Sequence, residues 1–376
     1  MTSAEHHYRT VVVAVTIDDS YIEPLLVALW SAGRRLSAGW SLRVFVIAYE
    51  VPAESKERLR AALETFPIHL EWKALDLSGP RRFWPGIRHD GEITAYYRLF
   101  LAEVIPDSVE RVIFLDADIL VAGDLVELWN SPFEGHVLQA VPDAYAGLLH
   151  IPRLRRDGVP FQSGAPYFNA GVLLIDMNRW REQQVGQKAS ALLWKYGSRL
   201  PGRDQDALNC VLAGRWKVLP PRWNFHELPH MLFCWDVSLY SLGELRQAFE
   251  NPSLIHFVGG KPWGSDACRS FCEQWQAEAR EAGIAIKSFP PLNRLRHRLV
   301  LVPHARLNRH FWRDVVQAPG RSGWPAIAKL VFRFPWMLVT YPAWQAWVWC
   351  EYARIRITFY RPQQRSLGTS AEVAAR

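Results

Sequence analysis

Asp116-Ala117-Asp118 sets two carboxylates one residue apart in the segment RVIFLDADILVAGDLVELW. Ahead of them, residues 111–115 read as one buried strand. Val112, Ile113, Phe114 and Leu115 are apolar, partly β-branched, and uninterrupted by Gly or Pro. Two carboxylates this close are costly unless a cation shares them. Hard divalent cations take such oxygen ligands, and nucleotide phosphates often complete their shell. The chemistry expected is a metal–diphosphate site at a strand's carboxyl end, where open α/β sheets bind ligands. Asp-x-Asp by itself is also a turn and capping signal. Asp124, before a short helical run to Trp129, is read as a cap.

Three further clusters carry chemistry. The first strand ends in Thr16-Ile17-Asp18-Asp19-Ser20-Tyr21. Asp19 or Ser20 is expected to cap the next helix, leaving Asp18 to accept a base N–H at the sheet's switch point. Arg98 lies among apolar neighbours in TAYYRLFLAEVIP. An arginine there either snorkels or meets an anion, for which a diphosphate is a natural partner. In IHFVGGKPWGS, His256 follows an apolar run, Gly259-Gly260 allow close backbone approach, and Lys261 follows. His is the commonest transition-metal ligand and Lys a good phosphate point charge, although a lone strand-end His is more often structural.

The elements that must position these residues alternate. Strands are expected at 10–17, 42–49, 69–75, 111–115, 137–141, 172–175 and 254–257. Helices are expected at 21–36, 53–66, 93–104, 182–196 and 205–212. Apolar strands alternating with amphipathic helices define an α/β fold, a Rossmann-like, mostly parallel sheet with helices on both faces. The 376 residues are 49% apolar, enough for a large core.

Charge divides the chain. Residues 1–286 carry 29 Lys and Arg against 34 Asp and Glu, whereas residues 287–376 carry 15 against 3. The net charge of +7 is therefore the property of a basic tail. A slightly acidic main body excludes a protein built round a polynucleotide groove, and no nucleic-acid partner is expected. Within the tail, residues 334–350 are free of charge and hold Trp336, Trp344, Trp347 and Trp349. The stretch has two prolines and falls short of the roughly 20 apolar residues of a membrane span. Its tryptophans and basic flanks suit an anionic membrane surface instead. The expected organisation is a catalytic domain at 1–286, carrying the metal–diphosphate site, and a basic, Trp-rich, membrane-associating region at 287–376. The polar N-terminus does not read as a signal peptide. Cys210, Cys234, Cys268, Cys272 and Cys350 fit no disulfide framework, which implies reduced thiols and a cytoplasmic protein, peripheral at the inner face of the cell membrane. Cys268 and Cys272 are read as core thiols on a helix.

In order, FLDADILVAGDLVELW, PYFNAGVLLIDMNRWRE, RDQDALN and IHFVGGKPW closely resemble glycosyltransferase family 8, over roughly residues 10–265. The resemblance implies a GT-A type fold and a retaining transfer of galactose or glucose from a UDP-hexose to a glycan or glycolipid such as lipopolysaccharide. It implies Mn2+, or Mg2+ in its place, held by Asp116, Asp118 and His256. Asp18 matches a uracil contact, Arg98 an arginine near the donor phosphates and sugar, and Gly259 and Lys261 a diphosphate clamp. Ala117, Asn169 and Ala170 fall in the donor site. Asp143 and Asp204 match residues that bind donor-sugar hydroxyls, and Gln205 matches the glutamine beside the reactive carbon. Gln205 is a weak nucleophile, so same-face attack is expected, with Asp204 and Asp143 left as candidates for a covalent route. A phosphatase of the haloacid dehalogenase type fits poorly, because Asp116 lies deep in the chain. A catalytically inactive transferase fold that binds the membrane surface is the non-enzymatic alternative.

Overall fold

The structure is a computed structural model that describes residues 9–75, 93–226, 239–258, 261–264 and 271–286. The basic tail from Lys287, with its tryptophan-rich stretch, lies outside them, as do Cys234, Cys268 and Cys350. The strands are β1 (Arg9–Asp18), β2 (Trp40–Tyr49), β3 (Ile68–Lys73), β4 (Arg111–Leu115), β5 (Ile119–Val121), β6 (Leu138–Pro142), β7 (Phe168–Asp176), β8 (Lys217–Val218), β9 (Phe225–His226) and β10 (Leu254–His256). The helices are α1 (Ile22–Arg35), α2 (Ala53–Ala62), α3 (Leu101–Val104), α4 (Leu125–Trp129), α5 (Ala144–Arg156), α6 (Met177–Glu182), α7 (Val185–Tyr196), α8 (Arg203–Leu212), α9 (Leu242–Glu250) and α10 (Cys272–Glu281).

The main sheet has the order β3-β2-β1-β4-β7-β6-β8. β3, β2, β1 and β4 are mutually parallel, while β7 runs antiparallel to both β4 and β6. Residues 11–17 of β1 are all buried, as expected of a strand covered on both faces. Val12, Ala14, Phe45, Ile47, Phe114 and Leu173 share one face, in a core with Trp180, Leu193 and Leu208 of α6, α7 and α8. A smaller sheet, β5-β10-β9, carries a second core in which Leu120 and Ile255 meet Val27 of α1 and Trp275 of α10. Cys272 lies in that core, so the half of the core-thiol reading that falls on described residues holds.

Four local expectations are corrected. Residues 93–104 are not one α-helix, because Ile93–Phe100 is a 3-10 helix and only Leu101–Val104 is α. Ile93 and Tyr96 through Phe100 are all buried, so the segment has no solvent face to impose the α-helical period. The helix expected at 182–196 is two, broken where Gln184 takes a left-handed conformation with φ 53°. α2 stops at Ala62 rather than Phe66. β7 begins at Phe168, four residues before the apolar run that advertised it, which makes Asn169, Ala170 and Gly171 strand residues. Asp124 caps α4 as read, accepting from the Val126 N–H at 3.0 Å.

Candidate active site

The topology collects the chemistry at one sheet edge. Parallel pairing of Val15 with Leu115 brings the end of β1, with Asp18, beside the end of β4, with Asp116. β7 enters at that edge, and the Asp116 N–H donates to the Gly171 carbonyl at 2.8 Å. β6 leaves there, so Asp143 follows Pro142, which pairs with Phe168. β5 starts directly after Asp118, and His256 of β10 pairs with Ile119. The Phe257 N–H then donates to the Asp118 carbonyl at 3.1 Å. Two strands far apart in sequence are thereby locked in register beside the Asp-x-Asp turn.

Asp116, Asp118 and His256 each offer one ligand atom, all within 4.8 Å of one another. His256 Nε2 lies 3.7 Å from Asp116 Oδ2 and 3.3 Å from Asp118 Oδ1. Around an ion with bonds of about 2.1 Å, neighbouring ligand atoms sit roughly 3 Å apart. Two carboxylates and one imidazole form a hard oxygen–nitrogen set suited to Mn2+ or Mg2+. These residues therefore fit the implied metal. A second observation agrees. A Cβ on Gly171 would stand 2.2 Å from His256 Cε1 and 2.7 Å from Asp116 Oδ2, so only glycine leaves room for both side chains.

Gly171→Ala is expected to drive His256 and Asp116 apart. The predicted result is at least ~100-fold weaker Mn2+ binding and a stability loss of about 1–3 kcal/mol from overpacking. Mn2+ titration by calorimetry checks the first, and a wild-type affinity in this variant would refute the geometry.

Arg98 neither snorkels nor reaches solvent. Its Nη2 donates to Asp116 Oδ1 at 2.9 Å, its Nε lies 2.9 Å from Asp204 Oδ2 and 3.0 Å from the Ala95 carbonyl, and its Nη1 donates to the Ala170 carbonyl at 2.5 Å. The anions it meets are carboxylates of the site itself. Burial opposes its charge, but Asp116, Asp204 and Asp118 outweigh that and hold it charged. The Arg98–Asp204 pairing is unequal. Burial, with help from Asp116, pushes the Asp204 carboxyl up to about 6 despite Arg98, which divides its attraction between two acids. Burial likewise pushes Asp118 up, but His256 and Lys261 more than offset it and hold that carboxyl far below the usual range. Lys261 Nζ pairs with Asp118 Oδ2 and also donates to the Phe257 carbonyl at 2.8 Å.

The other expected residues surround this point. The Ala170 N–H donates to Gln205 Oε1 at 2.9 Å, so one backbone unit ties Gln205 to Arg98. Gln205 Nε2 donates to the Tyr167 hydroxyl at 3.2 Å, and that hydroxyl donates to Asp206 Oδ1 at 2.6 Å. Successive residues of α8 are turned about 100° apart. Asp204 accordingly serves Arg98, Gln205 the strand, and Asp206 the tyrosine. Asp143 caps α5 by accepting the Ala146 N–H at 2.9 Å, and its other oxygen accepts from Asn169 Nδ2 at 3.1 Å. Ala117 is buried in the Asp-x-Asp turn. Gly259 lies outside the described residues.

The cap expected at Asp19 or Ser20 is supplied by Asp18 instead. Asp18 caps the 3-10 turn Asp19–Tyr21, accepting from the Ser20 N–H at 2.9 Å, because its extended backbone aims the carboxylate at that turn. Tyr21 was missed. It closes the turn that follows β1, and its phenol is pushed up to about 12 by burial and then by Asp118, Asp116 and Asp18. Its position after a strand-end acid run was the available signal. Asn224, Gly171, Tyr167 and Asp206 were also missed.

The mostly parallel α/β sheet, with acids, an imidazole and an amide gathered at its strand ends, has the fold of the GT-A class of glycosyltransferases, as its likeness to the galactosyltransferase LgtC shows. The model of glycosyl transferase family 8 matches residues 12–267, and the chain belongs to that family. General stress protein A of Bacillus subtilis (strain 168) is 28% identical over 264 residues, covering 69% of this chain and 89% of its own. Probable galacturonosyltransferase-like 4 of Arabidopsis thaliana is 27% identical over 271 residues, covering 67% and 72%. Among solved structures, the galactosyltransferase LgtC in complex with donor and acceptor sugar analogues superposes with a TM-score of 0.61 at 26% identity, over 76% of this chain and 99% of that one. Another LgtC structure is an active-site mutant in which glutamate replaces a glutamine. Among the described residues no helix is long and apolar enough to cross a membrane.

Proposed function

We propose that this chain is a retaining, divalent-metal-dependent hexosyltransferase that moves galactose or glucose from a UDP-sugar to a cell-envelope glycan such as lipopolysaccharide. One observation carries the reading. The Asp116–Asp118–His256 cluster and the Gln205 amide are fixed to adjacent residues of the same strand, Gly171 and Ala170.

A bound Mn2+ would supply Lewis-acid stabilisation of the negative charge that develops on the departing nucleotide. Lys261 supports the same end as a point charge next to Asp118. Asp18 and Tyr21 stand at the neighbouring strand end, suited to the nucleoside. Asn169, Ala170 and Asp143 border the sugar side. Retention needs either a carboxylate nucleophile or attack from the leaving-group face. Asp204 is tied to Arg98, and both Asp143 oxygens already accept hydrogen bonds. Gln205, matched to the residue beside the reactive carbon, is also hydrogen-bonded through both its oxygen and its nitrogen, and an amide is a weak nucleophile. That favours same-face attack.

The acceptor is assigned on the tail, whose basic and tryptophan-rich composition suits a glycolipid at the inner face of the cell membrane. Binding of the full chain to anionic vesicles should weaken as salt rises, and salt-independent binding would remove this support. The donor is tested directly. Purified protein is incubated with UDP-galactose, UDP-glucose, UDP-galacturonic acid or GDP-mannose, with and without Mn2+, while nucleotide release and thermal stability are followed. One UDP-sugar should turn over only with Mn2+, and GDP-mannose should not. Silence with every UDP-sugar would sink the proposal.

A further inference from the structure

Asn224 is fully buried, on the 3-10 turn Pro221–Asn224 just before β9. From its contacts we infer that Asn224 is a positioning residue, one that fixes which nitrogen of His256 faces the metal and joins the metal site to Asp143 through Asn169. This rests on the metal site proposed above.

The direction of every hydrogen bond in the chain is forced. A backbone N–H only donates, and that of Gly171 points to Asn169 Oδ1 at 2.9 Å. The Asn169 amide must therefore present its Nδ2 on the other side, where it donates to Asp143 Oδ2 at 3.1 Å. A donor-only group and a carboxylate thus agree on one orientation. Asn169 Oδ1 also accepts from Asn224 Nδ2 at 2.9 Å. This turns Asn224 Oδ1 toward His256 Nδ1, 3.0 Å away. Asn224 can only accept there, so Nδ1 carries a proton whether or not Nε2 does. Nε2 is the nitrogen that faces Asp116 and Asp118, at 3.7 and 3.3 Å. Its lone pair is the one available to an ion between the three residues.

Asn224, Asn169, His256 and Asp143 are between 0% and 6% exposed, so water does not compete for these bonds. In such a site an orphaned amide or imidazole N–H costs about 1–3 kcal/mol, which keeps the chain oriented. Outer partners of metal-bound imidazoles typically alter metal affinity by roughly 10- to 100-fold. The chain continues past the metal, because turning the Asn169 amide would break its bonds to Asp143 and Gly171 together. Asn224 thereby touches two functions through two different atoms, Oδ1 for the metal and Nδ2 for the sugar side.

That division gives the test. Asn224→Ala removes both atoms. Asn224→Asp keeps an acceptor for His256 but cannot donate to Asn169. Mn2+ affinity is measured by calorimetry without nucleotide, donor affinity with UDP-hexose at saturating Mn2+, and folding by thermal unfolding in chelator. Asn224→Ala should bind Mn2+ about 10- to 100-fold more weakly. Asn224→Asp should bind Mn2+ at or above the wild-type affinity yet bind donor several-fold more weakly. Wild-type Mn2+ affinity in Asn224→Ala, or an equal loss of both affinities in Asn224→Asp, would overturn the inference. If Asn224→Ala fails to fold, the split in Asn224→Asp decides alone. If the wild-type protein binds no Mn2+, the proposed metal site has failed, and nitrogen NMR of wild-type His256 still tests the chain. A proton on Nδ1 supports it, and a proton on Nε2 alone refutes it.

Discussion

Asp118→Asn is expected to abolish transfer while leaving the fold standing. Asp118 is committed through both oxygens, since one faces His256 Nε2 at 3.3 Å and the other meets Lys261. An asparagine of the same shape keeps the packing but offers the metal a neutral oxygen and gives Lys261 no counter-charge. Losing one charged ligand from a three-residue set removes several kcal/mol of charge stabilisation at the leaving group, or about 10^3-fold in kcat. Stability should respond differently with pH. The wild-type carboxyl is held far below its usual range, so its contribution is complete above the unfolded value near pH 4 and is lost as pH falls further. The Asn variant lacks that contribution, so the gap in unfolding free energy between the two proteins should close in acid. Mn2+ should raise the wild-type melting temperature and leave the variant's unchanged. Residual transfer within ~10-fold of wild type would mean that the metal is held elsewhere.

What was legible in the sequence follows from how locally each feature is encoded. β4 and the Asp-x-Asp turn are contiguous, and the uninterrupted Val112–Leu115 run announces a buried strand without help from the rest of the chain. β5, β8 and β9 are only two or three residues long and carry no usable period. Arg98 was visible as an anomaly among apolar residues, but its partners Asp116 and Asp204 come from two distant elements, and only the folded chain brings them together. Asn224 left no trace. Its neighbours Pro220-Pro221-Arg222-Trp223 read as a turn, and an asparagine in a turn needs no further explanation. Gly171 sits in a strand, where a glycine signals close approach by something, but the something is an imidazole from β10. The ligands of the site were readable because chemistry demands particular side chains. The groups that hold those ligands are ordinary polar residues whose meaning is a direction in space.

Arg98→Leu should cost the protein more stability than any other single change at this site. Arg98 is 6% exposed, and its guanidinium bonds two carboxylates and two carbonyls and lies 4.7 Å over the Phe114 ring. Leucine fills much of the space and strands Asp116 and Asp204 beside each other without a cation. Removing one partner from a buried ion pair costs about 3–5 kcal/mol, because the other charge stays buried. The loss must vary with pH in a definite sense. The Asp204 carboxyl already titrates at about 6 in the native protein, above its unfolded value. A carboxyl raised on folding destabilises when ionised, so its penalty is absent below about pH 4 and complete above its folded pKa. Without Arg98 that folded pKa rises further. The deficit of the variant should therefore be smaller near pH 5, where Asp204 is protonated in both proteins, than near pH 8. Mn2+ supplies to Asp116 the positive charge that leucine lacks, and should restore part of the difference. Arg98→Lys keeps a charge but not the planar fork, and should fall between the two. Chemical denaturation of all three proteins at pH 5 and pH 8, with and without Mn2+, reads these effects. A deficit that is the same at both pH values would show that Arg98 acts through packing on Phe114 rather than through the two acids.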